Sequence, residues 1–132
     1  LTKMPKIISQ TVTINSNPNQ VYEALMDSKK HAEFTGDDAE IDAKVGGKFM
    51  VWGDYIEGEN LELEQDKKIV QKWRATDWPE DYYSTATFEL EPEGENTKLT
   101  FTQTDVPDDN FESISQGWHD HYWDKLNEYF AK

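Results

Sequence analysis

The sequence predicts an α+β fold in which a long carboxy-terminal helix packs on one face of an antiparallel sheet. Residues 47–102 repeatedly alternate apolar and polar side chains, the period of strands with one buried face. Residues 109–130 instead place aromatic and aliphatic side chains three and four positions apart, the period of a helix with one buried face. Two such faces cover each other in a two-layer fold.

One strand and two short helices precede the alternating region. Residues 7–14 are rich in Ile, Val and Thr and predict the first strand. Asn17 followed by Pro18 is typical of a helix start, with Asn17 as the cap and Gln20 at the reciprocal capping position. This helix is expected to break near Asp27, and a second short helix then continues to Phe34.

The alternating region predicts most of a curved antiparallel sheet of about six to seven strands. Its segments are 47–53, 56–63, 69–74, 82–90 and 99–102. Gly46-Gly47 precedes the first of them and predicts a sharp turn or a close approach of backbone. Ile56 and Gly58 are out of phase with Leu61, so we expect a bulge near Glu59-Asn60.

The final helix is predicted from Asp109 to Phe130 and would be roughly 30 Å long at ~1.5 Å per residue. Asp109 and Glu112 have the spacing of a capping box. The buried face is predicted to comprise Phe111, Ile114, Trp118, Tyr122, Leu126 and Tyr129. If the sheet curls around this helix, the space between them is either packed solid or a cavity.

Composition limits the classes of function. The 132 residues predict a single domain, 1–132, and the net charge of −14 argues against nucleic-acid binding. No cysteine and no long apolar run are present, which predicts a cytoplasmic protein without disulfides or membrane contact. The chain begins at Leu1 rather than at a methionine, which is compatible with an excerpt of a longer protein.

Residues 67–74 (KKIVQKWR) and 77–80 (DWPE) resemble the carboxy-terminal domain of the activators of heat-shock-protein-90 ATPase. This family is a branch of the START-like (SRPBCC) helix-grip superfamily, typified by the birch pollen allergen. Further similar segments, in order along nearly the whole chain, are 46–49, 83–88, 99–100, 106–107, 116–118 and 122–123. The resemblance implies a helix-grip fold with no shared catalytic residues, metal or cofactor.

The resemblance implies two functions. Many START-like proteins hold an apolar small molecule between the sheet and the helix, and this is our main interpretation. The alternative is a co-chaperone-like protein that binds a heat-shock-protein-90 chaperone and stimulates its ATPase in the stress response. The separate amino-terminal domain of the eukaryotic activators is absent from these residues. No nucleophile, phosphate-binding or zinc-protease motif is visible, so a non-enzymatic protein is predicted.

The candidate residues for a ligand cavity are aromatic side chains expected to converge between sheet and helix, together with one glycine. They are Phe49, Trp73, Phe88, Phe101, Gly117, Trp118 and Tyr122. As a solid core these rings need no ligand, whereas as a cavity lining they suit an apolar guest. Gly117 leaves room beside Trp118 for either a closely packed strand or a ligand, and close packing is the favoured alternative.

The candidate residues for a partner surface are Lys72, Arg74 and Trp78. With Lys67 and Lys68, the first two are the main basic concentration of an acidic chain and are predicted on the solvent face of a strand. They would either steer an acidic partner or pair with nearby carboxylates. His119 and His121 lie two positions apart and point to different sides of a helix, so no metal site is predicted.

Overall fold

The computed structural model describes residues 6–131, which form one seven-stranded antiparallel sheet with helices on its concave face. The strands are β1 (Lys6–Ile14), β2 (Ala39–Ile41), β3 (Lys48–Val51), β4 (Ile56–Glu64), β5 (Lys68–Ala75), β6 (Ser84–Glu93) and β7 (Asn96–Val106). Their order across the sheet is β1-β7-β6-β5-β4-β3-β2. The first strand in sequence therefore pairs with the last. The predicted α+β, helix-grip architecture is confirmed.

The two short helices are α1 (Pro18–Met26) and α2 (Ser28–Thr35). The Asn17 side chain accepts a hydrogen bond of 2.9 Å from the backbone N–H of Gln20, as the capping pattern predicts. Asp27 ends α1 and caps α2 by accepting from the backbone N–H of Lys30 at 3.0 Å. One residue therefore separates the two helices, where the sequence predicts the break.

The bulge predicted near Asn60 lies in β4, next to the close backbone approach predicted at Gly46-Gly47 in the loop before β3. The pairing of β4 with β5 shifts between Asn60 and Glu62, which confirms the bulge. Asn60 is fully buried, and its side-chain amide donates to the backbone oxygen of Asp42 at 2.9 Å. A Cβ on Gly47 would lie 2.2 Å from that same oxygen, so the loop closes only with glycine there.

The carboxy-terminal helix has three parts: α3 (Phe111–Trp118), a π-helical turn (His119–Trp123) and α4 (Asp124–Phe130). The predicted capping box is wrong, because Asp109 lies in a 3₁₀ turn (Asp108–Asn110) and the N-cap residue is Asn110. The π turn widens the helix by one residue. Tyr122 and Trp123 consequently both face the sheet, whereas the sequence pattern assigned only Tyr122 to that face.

The aromatic face of this helix packs directly on the central strands. The ring of Trp118 lies 4.3 Å from that of Phe101 and 5.7 Å from that of Phe88, measured between centroids. Trp118 and Tyr122 are buried, as predicted. Within the described part of the chain, no helix is long and apolar enough to cross a membrane.

Candidate functional site

A small void remains at the centre of the space between sheet and helix. Its volume is about 20 Å³, close to the minimum for one water molecule. Its walls include five of the predicted cavity residues: Phe49, Trp73, Phe88, Trp118 and Tyr122. Of the two alternatives left open by the sequence, the centre of the fold corresponds to the packed one.

Phe101 belongs to this packed centre. Its side chain is fully buried, and its ring lies 5.0 Å from that of Phe88 and 4.3 Å from that of Trp118. It lines neither the central void nor the larger cleft described below. Its contribution is therefore to the core against which Trp118 rests.

A buried chain of hydrogen bonds fixes the indole of Trp118. Its Nε1–H donates to Oε1 of Gln103 at 2.8 Å, and the amide of Gln103 donates to the hydroxyl of Ser84 at 2.9 Å. That hydroxyl in turn donates to the backbone oxygen of Trp73 at 2.8 Å. Each polar group is thus satisfied in the core, which holds the tryptophan in one orientation.

An open cleft of about 420 Å³ lies beside this centre, between the β3–β4 turn and the carboxy-terminal helix. We call it the Trp52 cleft. Trp and Tyr side chains dominate its walls: Trp52, Tyr55, Trp73, Trp118 and Tyr122. Gly117 also lines it, and a Cβ there would meet only the ring of His121, at 3.7 Å. The favoured expectation that a strand packs closely on Gly117 is therefore wrong.

Trp52 is the wall residue that the sequence analysis missed. It is a non-glycine residue with φ of 57°, a conformation that costs of the order of 1–3 kcal/mol. Its ring packs edge-on against His121 at 5.2 Å and Tyr122 at 6.3 Å. The strand predicted through residue 53 ends at Val51, so Trp52 begins the turn instead. The glycine at position 53, directly after Trp52, was the available indication of a turn.

The polar groups of the cleft are few. The Asp37 carboxylate is the one acidic side chain among the residues that line it, and no lysine or arginine is among them. Ser113 and His121, with the indole N–H and hydroxyl groups of the Trp and Tyr residues, are the other polar side-chain groups of the lining residues. The cleft is thus a largely aromatic surface with one anionic side chain.

His31 supports the base of the cleft from behind. The sequence offered no partner for it, but its Nδ1 lies 3.1 Å from the backbone oxygen of Leu25 and its Nε2 3.1 Å from the hydroxyl of Tyr122. A carbonyl only accepts, so Nδ1 carries the proton and Nε2 accepts from Tyr122. Burial lowers the pKa of His31 to about 4 and raises the pKa of Tyr122. Both groups are therefore neutral near pH 7.

The three predicted partner-surface residues differ in exposure. Lys72 is half-buried on the outer sheet face, with its ammonium 4.4 Å from the centre of the Tyr83 ring. Arg74 is buried, so its predicted solvent-facing position is wrong: it donates to the backbone oxygen of Trp78 at 2.8 Å and to Glu57 at 3.1 Å. Trp78 is also buried, with its ring 5.5 Å from that of Trp73.

The loop of residues 76–83 explains this burial, because it folds over the end of β5 and covers Arg74. The guanidinium Nη2 also approaches the backbone oxygens of Thr76 and Pro79, at 3.5 and 3.4 Å. Arg74 and Trp78 therefore shape the loop from inside, and a partner contact through either remains a prediction. Lys72 alone of the three presents its charged group beside the loop.

Residues 15–131 match the family described as Activator of Hsp90 ATPase homolog 1-like protein. The chain is 29% identical to the activator of 90 kDa heat shock protein ATPase homolog of Dictyostelium discoideum, and 29% identical to homolog 1 of Homo sapiens. The alignments cover 97% and 90% of this chain but only 39% and 35% of those relatives.

Among solved structures, the chain is similar to the crystal structure of an HSP90 activator from Plasmodium falciparum. The identity is 30% and the TM-score 0.88, and the match covers 98% of this chain and 97% of that one. The resemblance inferred from residues 67–80 is thereby confirmed. The chain belongs to the Activator of Hsp90 ATPase homolog 1-like family.

Proposed function

We propose that this chain is a non-enzymatic co-chaperone that binds an Hsp90-type chaperone and stimulates its ATPase. The similarity to the Plasmodium falciparum activator carries the proposal, because it extends over nearly the full length of both chains. The chain spans only about a third of the length of the larger relatives, so the activity of those whole proteins enters here as part of the proposal. We also propose that the protein is cytoplasmic and acts in the stress response.

The outer face of the sheet around Lys72 is the surface we propose for the chaperone. Strand register places Lys72 beside Glu59, and Glu59 beside Lys48, so two lysines flank one glutamate on this face. On a chain of net charge −14, such a surface would meet an acidic partner with less repulsion than the rest of the protein. Arg74 would act indirectly, by holding the adjacent loop of residues 76–83.

ATP turnover by a purified Hsp90-type chaperone, measured with increasing amounts of this protein, tests the proposal. We expect stimulation that is strongest at low ionic strength, because screening weakens interactions between exposed charges. Lys72→Glu should reduce it. Lys98→Glu is the matched control, since it makes the same charge change on an exposed residue paired with Glu91, far from the loop. Absence of binding and of stimulation at low salt would reject the proposal.

A second candidate function is supported by the Trp52 cleft. Its volume of about 420 Å³ lies within the ~300–1,000 Å³ usual for small-molecule sites, and its walls are mostly aromatic. We therefore propose that an apolar small molecule binds in this cleft, at the edge of the space between sheet and helix rather than in the packed centre. Of the predicted cavity residues, the ligand would then contact Gly117, Trp118 and Tyr122 but not Phe88 and Phe101.

Tryptophan fluorescence during titration with a naphthalene derivative tests this second function. A leucine at position 117 would fill the cleft, so Gly117→Leu should abolish binding. Gln116→Leu is the control, because it adds a similar side chain on the exposed neighbouring position of the same helix. Equal binding by the two variants would exclude the cleft.

A further inference from the structure

We infer that the Trp52 cleft selects an organic cation, namely an ammonium group carried on an apolar body. This inference rests on the second function proposed above, because it specifies the chemistry of a ligand for the same cleft. It concerns the charge and shape that the walls recognise, and it is independent of chaperone binding.

Three departures from regular geometry converge on the cleft. Trp52 has a positive φ, Gly117 lacks a side chain within α3, and the π turn carries His121 and Tyr122 into the wall. Strained residues and π turns are concentrated at functional sites. Close packing does not require the glycine at position 117, since a Cβ there would make only an ordinary contact. Because these features meet at one cleft, we take the cleft to be a functional site.

The charge of the lining gives the sign of the ligand. Asp37 is exposed at the mouth, and its Oδ1 accepts a hydrogen bond of 2.8 Å from the backbone N–H of Asp38, which orients the carboxylate. No lysine or arginine among the lining residues offsets this charge. An anionic ligand would lie beside an uncompensated carboxylate, whereas an ammonium group would be paired by it.

The aromatic walls favour the same sign. The faces of Trp and Tyr rings carry negative quadrupole potential and attract cations, more strongly where water is excluded. Trp52 and Tyr55 stand on the turn side of the cleft, and Trp118 and Tyr122 on the helix side. An apolar body between these walls would bury surface, and its ammonium group would lie near the aromatic rings and the Asp37 carboxylate.

A series of three probes with one naphthyl body separates charge from apolar burial: naphthylmethylammonium, naphthylmethanol and naphthoate. Calorimetric titrations at pH 8, where histidine is normally uncharged, should rank the cation first. We expect it to bind about tenfold more tightly than the alcohol, the ratio of one ion contact in a partly desolvated site. The carboxylate should bind most weakly.

Variants locate the selectivity. Asp37→Asn should bring the cation close to the alcohol in affinity and leave the affinity for the alcohol unchanged. Asp38→Asn is the matched control: it removes the same charge from the next residue, which does not line the cleft, and the tenfold preference should persist. Gly117→Leu should remove binding of all three probes.

The outcomes distinguish the inference from the function on which it rests. Equal affinity for cation and alcohol, both lost in Gly117→Leu, would overturn cation selectivity and keep a small-molecule site. Cation binding that survives Gly117→Leu would reflect general attraction to an acidic surface, and would also overturn the inference. Failure of all three probes to bind would reject the cleft as a ligand site.

Discussion

The indole rings of Trp118 and Trp123 stack with centroids 5.5 Å apart and planes inclined by 21°. In a regular α-helix, residues five apart point in different directions, and the π turn brings these two to one face. Trp118 is hydrogen-bonded to Gln103 of β7, and Trp123 donates to Gln10 of β1 at 2.8 Å. The stacked pair therefore fastens one helix to two neighbouring strands.

Trp123→Ala should lower the free energy of unfolding by about 3–5 kcal/mol, the range for removal of a large buried aromatic side chain. Urea denaturation followed by circular dichroism measures this difference. Asp124→Ala is the control, because the next residue is exposed and its removal should cost less than ~0.5 kcal/mol. A similar small effect for both variants would show that the stack contributes little.

Two glycine-to-alanine substitutions should have opposite effects. A Cβ on Gly58 would lie 1.9 Å from the backbone oxygen of Lys72 and 2.6 Å from the ring of Phe49, so Gly58→Ala should destabilise by about 3 kcal/mol or more. Gly117→Ala should stabilise by about 0.5–1 kcal/mol, because its added methyl makes only an ordinary contact with the His121 ring and favours the helix. Thermal unfolding of the pair checks both signs, and destabilisation by Gly117→Ala would contradict the open cleft.

Arg74→Met should release the loop of residues 76–83. The variant keeps the apolar stem but removes the donors to the Trp78 oxygen and to Glu57, which should cost about 1–3 kcal/mol. Acrylamide quenching should then reach Trp78, which is protected in the native protein. Lys72→Met makes the same change on the same strand face and should leave quenching unchanged. Continued protection of Trp78 in Arg74→Met would show that the guanidinium does not hold the loop.

The free energy of unfolding should fall as the pH decreases from about 6.5 to about 4, because His31 takes up a proton more readily in the unfolded chain. Its folded pKa is about 4, below the ~6.5 of an unfolded histidine, so the unfolded chain binds the proton more tightly. The stabilisation is thus complete above the unfolded pKa and decreases below it, by about 3 kcal/mol in total. Carboxylates add their own dependence, so the measurement compares slopes of unfolding free energy against pH.

His31→Gln should flatten that slope while retaining a donor for Leu25 and an acceptor for Tyr122. His119→Gln, which makes the same substitution at a half-buried histidine of the final helix, is the comparison variant. Identical slopes for His31→Gln and the native protein would show that folding does not lower the pKa of His31.

Local chemistry made much of the fold predictable. Asn17 and Pro18 specify a helix start through one side-chain acceptor and one missing N–H, and no distant residue is needed. The bulge at Asn60 was visible because a period of two changes phase when one residue is inserted. The aromatic face of the last helix was visible from its spacing, and Trp118 and Tyr122 lie where that spacing placed them.

The remaining features depend on contacts between distant segments. A π turn has no composition of its own, so Trp123 could not be assigned to the buried face. Arg74 lies on the outer face of its strand, as its alternation predicts, but the loop of residues 76–83 folds over it. The alternation of a strand does not show whether a loop covers one of its faces. The cleft was missed because Trp52 leaves the strand at a positive φ, a conformation that propensity disfavours.

The pairing of β1 with β7 has a consequence for synthesis of the protein. β1 borders the sheet, so its only strand partner among the described residues is β7, and Asn15 and Thr13 are bonded to Asn127 in the last helix. β1 is the first of the described strands to be synthesised, whereas β7 and the last helix, which it contacts, are the last described elements. Contacts between segments so far apart in sequence form slowly, so we expect this domain to reach its native pairing only after its last helix has been synthesised.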